Sequence, residues 1–107
     1  EDVVEKVREL TGGRGAKGAI EAVGGATGRL ALHCLRPGGM LIVYGMLSDE
    51  PIPVHSGEML FRGLTMQGFW LSQWFRDTPP AQTVAVLSEL MRLMSPTIWR
   101  IFGKPLP

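Results

Sequence analysis

Few side chains in this sequence are suited to acid–base or metal chemistry. His33 and Cys34 are neighbours on a predicted helix, point in different directions and have no partners at metal-ligand spacing, so packing explains them better than a metal site. A solvated loop residue is the simpler interpretation of His55. Glu21 lies within an apolar strand, where a carboxylate needs hydrogen-bond partners, and we expect a structural role for it. We therefore predict no catalytic and no metal-ligating residue.

A glycine-rich stretch, GGRGAKG from Gly12 to Gly18, has a composition that suggests phosphate binding. A phosphate loop needs a strand before it and a helix N-terminus after it. Here a helical pattern precedes the glycines, and Lys17 is not followed by Ser or Thr. We therefore predict a helix cap and a loop at this segment.

Charge and composition do not point to a macromolecular partner. The 107 residues contain 11 Lys and Arg against 10 Asp and Glu, a net charge of +1, which gives no electrostatic argument for nucleic acid or an anionic membrane. A single cysteine excludes an intramolecular disulfide. No apolar run is long enough for a membrane span. We expect a soluble protein in the cytoplasm, or in the mitochondrion of a eukaryote. The chain begins at Glu1 without methionine, and we interpret it as a fragment of a longer protein.

The stretch LRPGGMLIVYGML, from Leu35 to Leu47, determines the predicted architecture. Pro37 and Gly38-Gly39 are expected to end a helix and reverse the chain. The apolar run from Met40 to Tyr44 then predicts a strand buried on both faces, as in the middle of a parallel sheet.

Helical and strand patterns alternate around this stretch. Helices are predicted for residues 3–10, 27–35, 57–61 and 80–95, and strands for 18–23 and 64–69. This alternation implies parallel pairing. Ser95-Pro96 is predicted to end the last helix, and the tail from Thr97 to Pro107 is interpreted as a strand that leaves for another domain.

The carboxyl ends of the predicted strands are the expected ligand edge, because open parallel sheets bind ligands there. Tyr44, Gly45, Met46 and Leu47 follow the central strand. The strand at 64–69, LTMQGF, partly alternates apolar and polar residues, which is typical of an edge strand. We therefore predict a homodimer that pairs through residues 64–69.

The sequence resembles the medium-chain dehydrogenase/reductases, in particular the quinone reductases and enoyl thioester reductases. The resemblance follows LTGGRGAKGAIEAVGG, LALHCLRPGGMLIVYGML and LFRGLTMQGFWLSQWF in order. The most specific part is FWLSQW, from Phe69 to Trp74, which is similar to the segment that mitochondrial enoyl reductases place beside the nicotinamide of NADPH.

This resemblance implies an α/β fold with three layers, part of a Rossmann-like parallel sheet of about three strands with flanking helices. It also implies that NADPH, or NADH, contacts the turns that follow the strands ending near Tyr44 and Phe69. Val23 and Gly24, at the end of the preceding strand, are weaker candidates for a contact with the ribose or adenine. The implied cofactor-binding residues are Tyr44, Gly45, Met46, Phe69, Trp70 and Leu71.

By the same resemblance, residues 1–95 are the carboxyl-terminal half of a nicotinamide-binding domain, and residues 96–107 lead back toward a catalytic domain. The family's phosphate loop would precede Glu1, and its catalytic residues lie mainly in the partner domain. The implied function of the full-length protein is reduction of a small conjugated carbonyl compound, a 2-enoyl thioester or a quinone. This chain alone is expected to be inactive. Gly45-Met46 stands where the family usually has Gly-Gly.

Two alternatives remain open at this point. LRPGGMLIV also resembles the helix, Pro-Gly-Gly and strand of methyltransferases that use S-adenosylmethionine, although the antiparallel hairpin that usually ends those folds has no counterpart here. A third interpretation is a non-catalytic dimerisation fragment.

Overall fold

The computed structural model describes residues 2–102, with side chains described for all of these except residues 97–99, 101 and 102. It is a mixed α/β structure with a three-stranded parallel sheet, which confirms the predicted α/β class and the Rossmann-like parallel sheet. The described residues form two compact units, the first ending at Leu71 and the second beginning at Ser72. In chain order, the elements are α1 Val3–Leu10, β1 Ala16–Glu21, α2 Gly25–Cys34, β2 Leu35–Val43, α3 Ser56–Arg62, β3 Thr65–Gly68, α4 Leu71–Asp77 and α5 Pro80–Phe102.

Helix α1 is capped at both ends, and the sequence predicts the glycine cap at its carboxyl end. The side chain of Asp2 accepts a hydrogen bond from the N–H of Glu5 at 3.2 Å, as an N-cap residue does. At the other end, the N–H of Gly13 donates to the carbonyl of Arg8 at 2.8 Å. Residues 12–15 of the glycine-rich segment are therefore a helix cap and loop, as expected, because this backbone closes α1. Ala16 to Gly18 already belong to β1, so the predicted loop is shorter than expected.

The three strands lie in the order β1-β2-β3, and both pairs are parallel. Strand β2 is central, and β3 is an outer strand, as the alternation in its sequence predicts. Glu21 is opposite Val43, and Val43 is opposite Gly68. The carboxyl ends of the strands are therefore side by side at one edge of the sheet.

The Pro-Gly-Gly turn lies inside β2 rather than before it. Helix α2 ends at Cys34, and Leu35 already pairs with Ala16. The register then shifts, so that residues 36–39 are opposite Lys17 alone. A Cβ atom at Gly39 would lie 2.9 Å from the carbonyl oxygen of Arg36, so the turn needs glycine at this position. The predicted turn is present, but strand pairing begins before it.

The core lies on one face of the sheet. Leu32 of α2 packs with three leucines of β2 and the segment before β3, namely Leu35, Leu41 and Leu64. The prediction that β2 is buried on both faces is wrong for the described residues. Leu41 is fully buried, whereas the neighbouring Met40, whose side chain points to the opposite face of the sheet, is 38% exposed. Ile20 of β1 is 72% exposed. Within the first unit, helices therefore pack on one face, and the other face carries exposed apolar side chains.

Helix α5 does not end at Ser95-Pro96. It continues through Pro96 to Phe102. The predicted helix end is therefore wrong, and so is the strand expected from Thr97, for the residues up to Phe102. Proline lacks the N–H that bonds to the preceding turn, but a helix can pass through it with a local kink. Residues 103–107 of the expected tail lie outside the described residues, and the domain boundary at residue 96 remains a prediction. None of the described helices has the length and apolar character that a membrane crossing requires.

Candidate functional site

Two turns meet at the carboxyl edge of the sheet. Tyr44 follows β2, and its N–H donates to the carbonyl of Glu21 at 2.9 Å. Phe69 follows β3, and its N–H donates to the carbonyl of Val43 at 2.8 Å. These two bonds continue the sheet pairing beyond the strand ends and place the beginnings of both candidate turns next to each other.

An apolar cavity of about 320 Å³ lies beside these turns, on the sheet face that carries the exposed side chains. Tyr44, Phe69 and Leu71, three of the six candidate residues, line it together with Ile20 and Ile42. Neither isoleucine is among the site residues predicted from the sequence. The two-residue period of a strand could have found Ile42, because it points to the same face as Tyr44.

The other candidates, Gly45, Met46 and Trp70, belong to the same two turns but do not line this cavity. Met46 and Trp70 are 68% and 63% exposed. Within the part of the chain that the structure describes, the N–H groups of Gly45 and Met46 meet no acceptor. They are donors available to a ligand at this edge.

Gly45 allows the turn to lie close to the end of β1. A Cβ atom built on Gly45 would be 3.0 Å from the Cβ of Ala22 and 3.1 Å from its carbonyl oxygen. That carbonyl accepts the N–H of Leu47 at 2.9 Å. A side chain at Gly45 would therefore displace the turn that carries the available donors.

Glu21 fixes the adjacent turn after β1. It is 4% exposed, and its Oε1 accepts hydrogen bonds from the N–H groups of Val23 and Gly24, both at 2.7 Å. The carbonyl of Val23 in turn accepts from Ser48, through both its N–H and its hydroxyl. This agrees with the structural role expected for Glu21, although its Oε2 is buried and has no partner among the described residues.

An ion pair holds the loop that follows the candidate turn. The guanidinium of Arg29 on α2 donates two hydrogen bonds to the carboxylate of Glu58 on α3 and one to the carbonyl of Pro53 at 3.2 Å. The Arg29 hydrogen bonds lower the pKa of Glu58 from 4.5 to about 2. Arg29 and Glu58 are 29 residues apart in sequence, so no local pattern could have predicted this ion pair.

The structure gives no metal-binding arrangement to the histidines and the cysteine. Nε2 of His33 lies 3.8 Å from the carboxylate of Glu58. Cys34 is buried, and burial raises the pKa of its thiol. Over residues 2–102, no three His, Cys, Asp or Glu side chains are grouped so that they could hold a metal ion.

Residues 1–89 match the family model described as zinc-binding dehydrogenase. The chain belongs to the zinc-binding dehydrogenase family. The family name refers to zinc, but the donor set described above does not fit a zinc ion, so no zinc chemistry is derived for these residues.

Relatives within and near this family include reductases of two kinds. The mitochondrial enoyl-[acyl-carrier-protein] reductase of Bos taurus is 35% identical over 77 residues, which are 69% of this chain and 21% of that protein. A Bacillus thuringiensis protein assigned as an NADPH:quinone reductase is 29% identical with a TM-score of 0.73, over 88% of this chain and 28% of the other. The structure of the Etr1p/NADP/crotonyl-CoA complex is 25% identical with a TM-score of 0.60, and the match covers 70% of this chain and 20% of that protein.

The chain thus spans about a fifth of the length of the curated relatives that it matches. The family match confirms the resemblance to medium-chain dehydrogenase/reductases and favours it over the S-adenosylmethionine alternative.

Proposed function

We propose that this member of the zinc-binding dehydrogenase family is the carboxyl-terminal half of a nicotinamide-binding domain. The protein that contains it would be an NADPH-dependent reductase of conjugated carbonyl compounds, with 2-enoyl thioesters or quinones as substrates and NADH as the alternative cofactor. Support comes from relatives named as enoyl-[acyl-carrier-protein] and NADPH:quinone reductases and from a similar structure in complex with NADP and crotonyl-CoA.

One observation carries the proposal: the turns after β2 and β3 combine an apolar wall with available backbone donors. Tyr44, Phe69 and Leu71 line the 320 Å³ cavity, and the N–H groups of Gly45 and Met46 meet no acceptor among the described residues. A nicotinamide ring has flat apolar faces and a polar carboxamide. The cavity would cover a ring face, and the donors would bind the carboxamide or ribose oxygens.

The proposed role of these residues is orientation. When bound, NADPH would supply the hydride, from C4 of its nicotinamide, that the β-carbon of the conjugated substrate takes up. The side chains around the cavity would exclude water and hold the ring in one position, which lowers the barrier by fixing the reacting geometry. No side chain here is assigned an acid–base step. The glycine turn between β1 and α2 offers few donors to a phosphate, because the N–H of Gly24 donates to Oε1 of Glu21 at 2.7 Å and the N–H of Gly25 donates to the carbonyl of Glu50 at 3.0 Å. We therefore expect the 107-residue chain alone to bind NADPH weakly.

The test is NADPH oxidation by the intact gene product, measured by absorbance with crotonyl-CoA and, separately, with a benzoquinone. Turnover with either substrate class supports the proposal and identifies the class. Absence of turnover with both, together with thermal stabilisation by S-adenosylmethionine and none by NADPH, would contradict it and favour the methyltransferase alternative.

We also propose that β3 pairs with its counterpart in a second copy to form a homodimer, because β3 is an outer strand and its Thr65, Gln67 and Gly68 are exposed. For location we propose the cytoplasm, or the mitochondrion in a eukaryote, since several relatives are named as mitochondrial.

A further inference from the structure

A second cavity, of about 570 Å³, lies at the opposite edge of the sheet from the candidate cofactor site. It is bordered by the loop after α1 at Gly15 and by Leu35, which are at the amino ends of β1 and β2. It lies within the first unit and shares no lining residue with the apolar cavity. The proposed nicotinamide function makes no use of it.

Basic side chains dominate the charge of this cavity. Arg8, Arg14 and Arg62 line it, as does His33, and among the described lining residues Glu58 alone is acidic. The Glu58 carboxylate already accepts two hydrogen bonds from Arg29, so its charge is largely neutralised. The cavity therefore presents an excess of positive charge.

Two of the arginines differ in how they are held. Arg62 donates hydrogen bonds to the carbonyls of Leu32 and Leu35, at the carboxyl end of α2, which fixes its guanidinium at the cavity. Arg14 is exposed, and no ion pair or hydrogen bond of its side chain is found within residues 2–102. One cation is thus positioned by the fold, and another is available to close on a ligand.

The backbone around the cavity is not an amide cradle. The N–H of Gly13 is bonded to the Arg8 carbonyl at 2.8 Å, and the N–H of Gly15 is bonded to the hydroxyl of Thr11 at 2.9 Å. A ligand would therefore be recognised by side chains. Guanidinium groups pair with phosphate through parallel hydrogen bonds, and a cavity of this volume is in the range of small-ligand sites.

We propose that this cavity binds a small di- or polyphosphate anion through Arg14 and Arg62, at a site separate from the candidate cofactor edge. Arg8, which lies 3.8 Å from the carboxylate of Glu5, would add less to the attraction. Because the site is partly exposed, its affinity falls with rising ionic strength.

The experiment is calorimetric titration of the intact gene product with inorganic pyrophosphate at constant ionic strength, with saturating NADPH to occupy any dinucleotide site. We expect binding of pyrophosphate in the wild type and a loss of affinity of roughly tenfold in Arg14→Gln, since a charge-assisted hydrogen bond is removed. The Arg14 side chain has no hydrogen bond or ion pair within residues 2–102, and thermal unfolding verifies that the variant is folded. Lys17→Gln is the matched control, because it removes an exposed positive charge outside the cavity lining.

Three results would overturn the proposal. They are no pyrophosphate binding in the wild type, an equal loss in Lys17→Gln, and binding that disappears when NADPH is added. The last would assign pyrophosphate to the cofactor site. Since turnover with NADPH is measured independently, failure of this proposal is distinguishable from failure of the reductase function.

Discussion

The N–H of Phe69 donates a hydrogen bond to the carbonyl of Val43 at 2.8 Å, so the two candidate turns begin from a shared backbone contact. Val43 immediately precedes Tyr44, and the Tyr44 and Phe69 side chains line the same cavity. A shift of either turn would therefore be transmitted to the other. The predictions below use this coupling and the contacts that hold the turns in place.

Substitution Gly45→Ala should weaken NADPH binding by the intact gene product. The added Cβ would lie 3.0 Å from the Cβ of Ala22 and 3.1 Å from its carbonyl oxygen, so Ala22 or the turn with the available N–H groups must shift by a few tenths of an ångström. We expect a dissociation constant raised about tenfold, equivalent to about 1.4 kcal/mol. Gly57→Ala is the control, since its Cβ would meet nothing nearer than a Phe61 ring carbon at 3.8 Å. Equal affinities in Gly45→Ala and wild type would argue against a close turn at this position.

Glu21→Ala should destabilise the fold. It removes the acceptor for the N–H groups of Val23 and Gly24, and unsatisfied buried donors of this kind cost about 2 kcal/mol. Glu21→Gln keeps an amide oxygen that can accept both bonds, so we expect most of the stability to return. Urea unfolding of both variants measures the difference. Equal stability of the Ala and Gln variants would show that the two hydrogen bonds are not what Glu21 contributes.

The Arg29–Glu58 ion pair predicts a loss of stability in acid. The pKa of Glu58 is lowered from 4.5 to about 2 in the folded chain, so its contribution is fully present above about pH 4.5 and is lost as the pH falls toward 2. Thermal unfolding across this range should show a smaller pH dependence in Glu58→Gln than in wild type. Glu89→Gln is the matched control.

Glu89 also has a lowered pKa, because it bonds to Arg92, but that pair is exposed on α5. Exposed pairs of this kind contribute little to stability. If the pH dependence of stability is unchanged in Glu58→Gln, or changes more in Glu89→Gln, the part-buried Arg29–Glu58 pair is not what stabilises the fold above pH 4.5.

Lysines on β3 should shift the intact gene product from dimer to monomer. Thr65 and Gln67 are exposed on this outer strand, and edge lysines oppose strand-to-strand pairing. We expect Thr65→Lys with Gln67→Lys to lower the mass measured by light scattering to that of a monomer. Gln82→Lys on α5 is the control for added charge. A wild-type monomer, or an unchanged dimer in the double variant, would refute pairing through β3.

Local patterns predicted most elements of this fold but not the environment of each face. The apolar run from Met40 to Tyr44 predicts a strand, and β2 covers most of it. It cannot say whether both faces are covered, because burial on a face depends on which helices pack there, and Met40 is 38% exposed. Pro96 fails as a helix end for a related reason, since local propensity is a weak constraint on where a helix stops.

The candidate site was predictable in part. Strand order and parallel pairing place Tyr44 and Phe69 at one edge, which the alternation of elements already implies. The contribution of Ile20 to the cavity depends on the register between β1 and β2, and the Arg29–Glu58 pair depends on tertiary packing. Neither register nor packing is encoded in a local pattern.

The most direct test of the proposed cofactor site is a nicotinamide-fluorescence titration of the intact gene product with NADPH, comparing wild type and Trp70→Ala. Trp70 lies in the turn after β3 and is 63% exposed, and thermal unfolding verifies that the variant is folded. Trp74→Phe, in α4, is the control for loss of a tryptophan. We predict that the affinity of Trp70→Ala for NADPH falls roughly tenfold while that of Trp74→Phe is unchanged. Unchanged NADPH affinity in Trp70→Ala would contradict the assignment of the cofactor to these two turns.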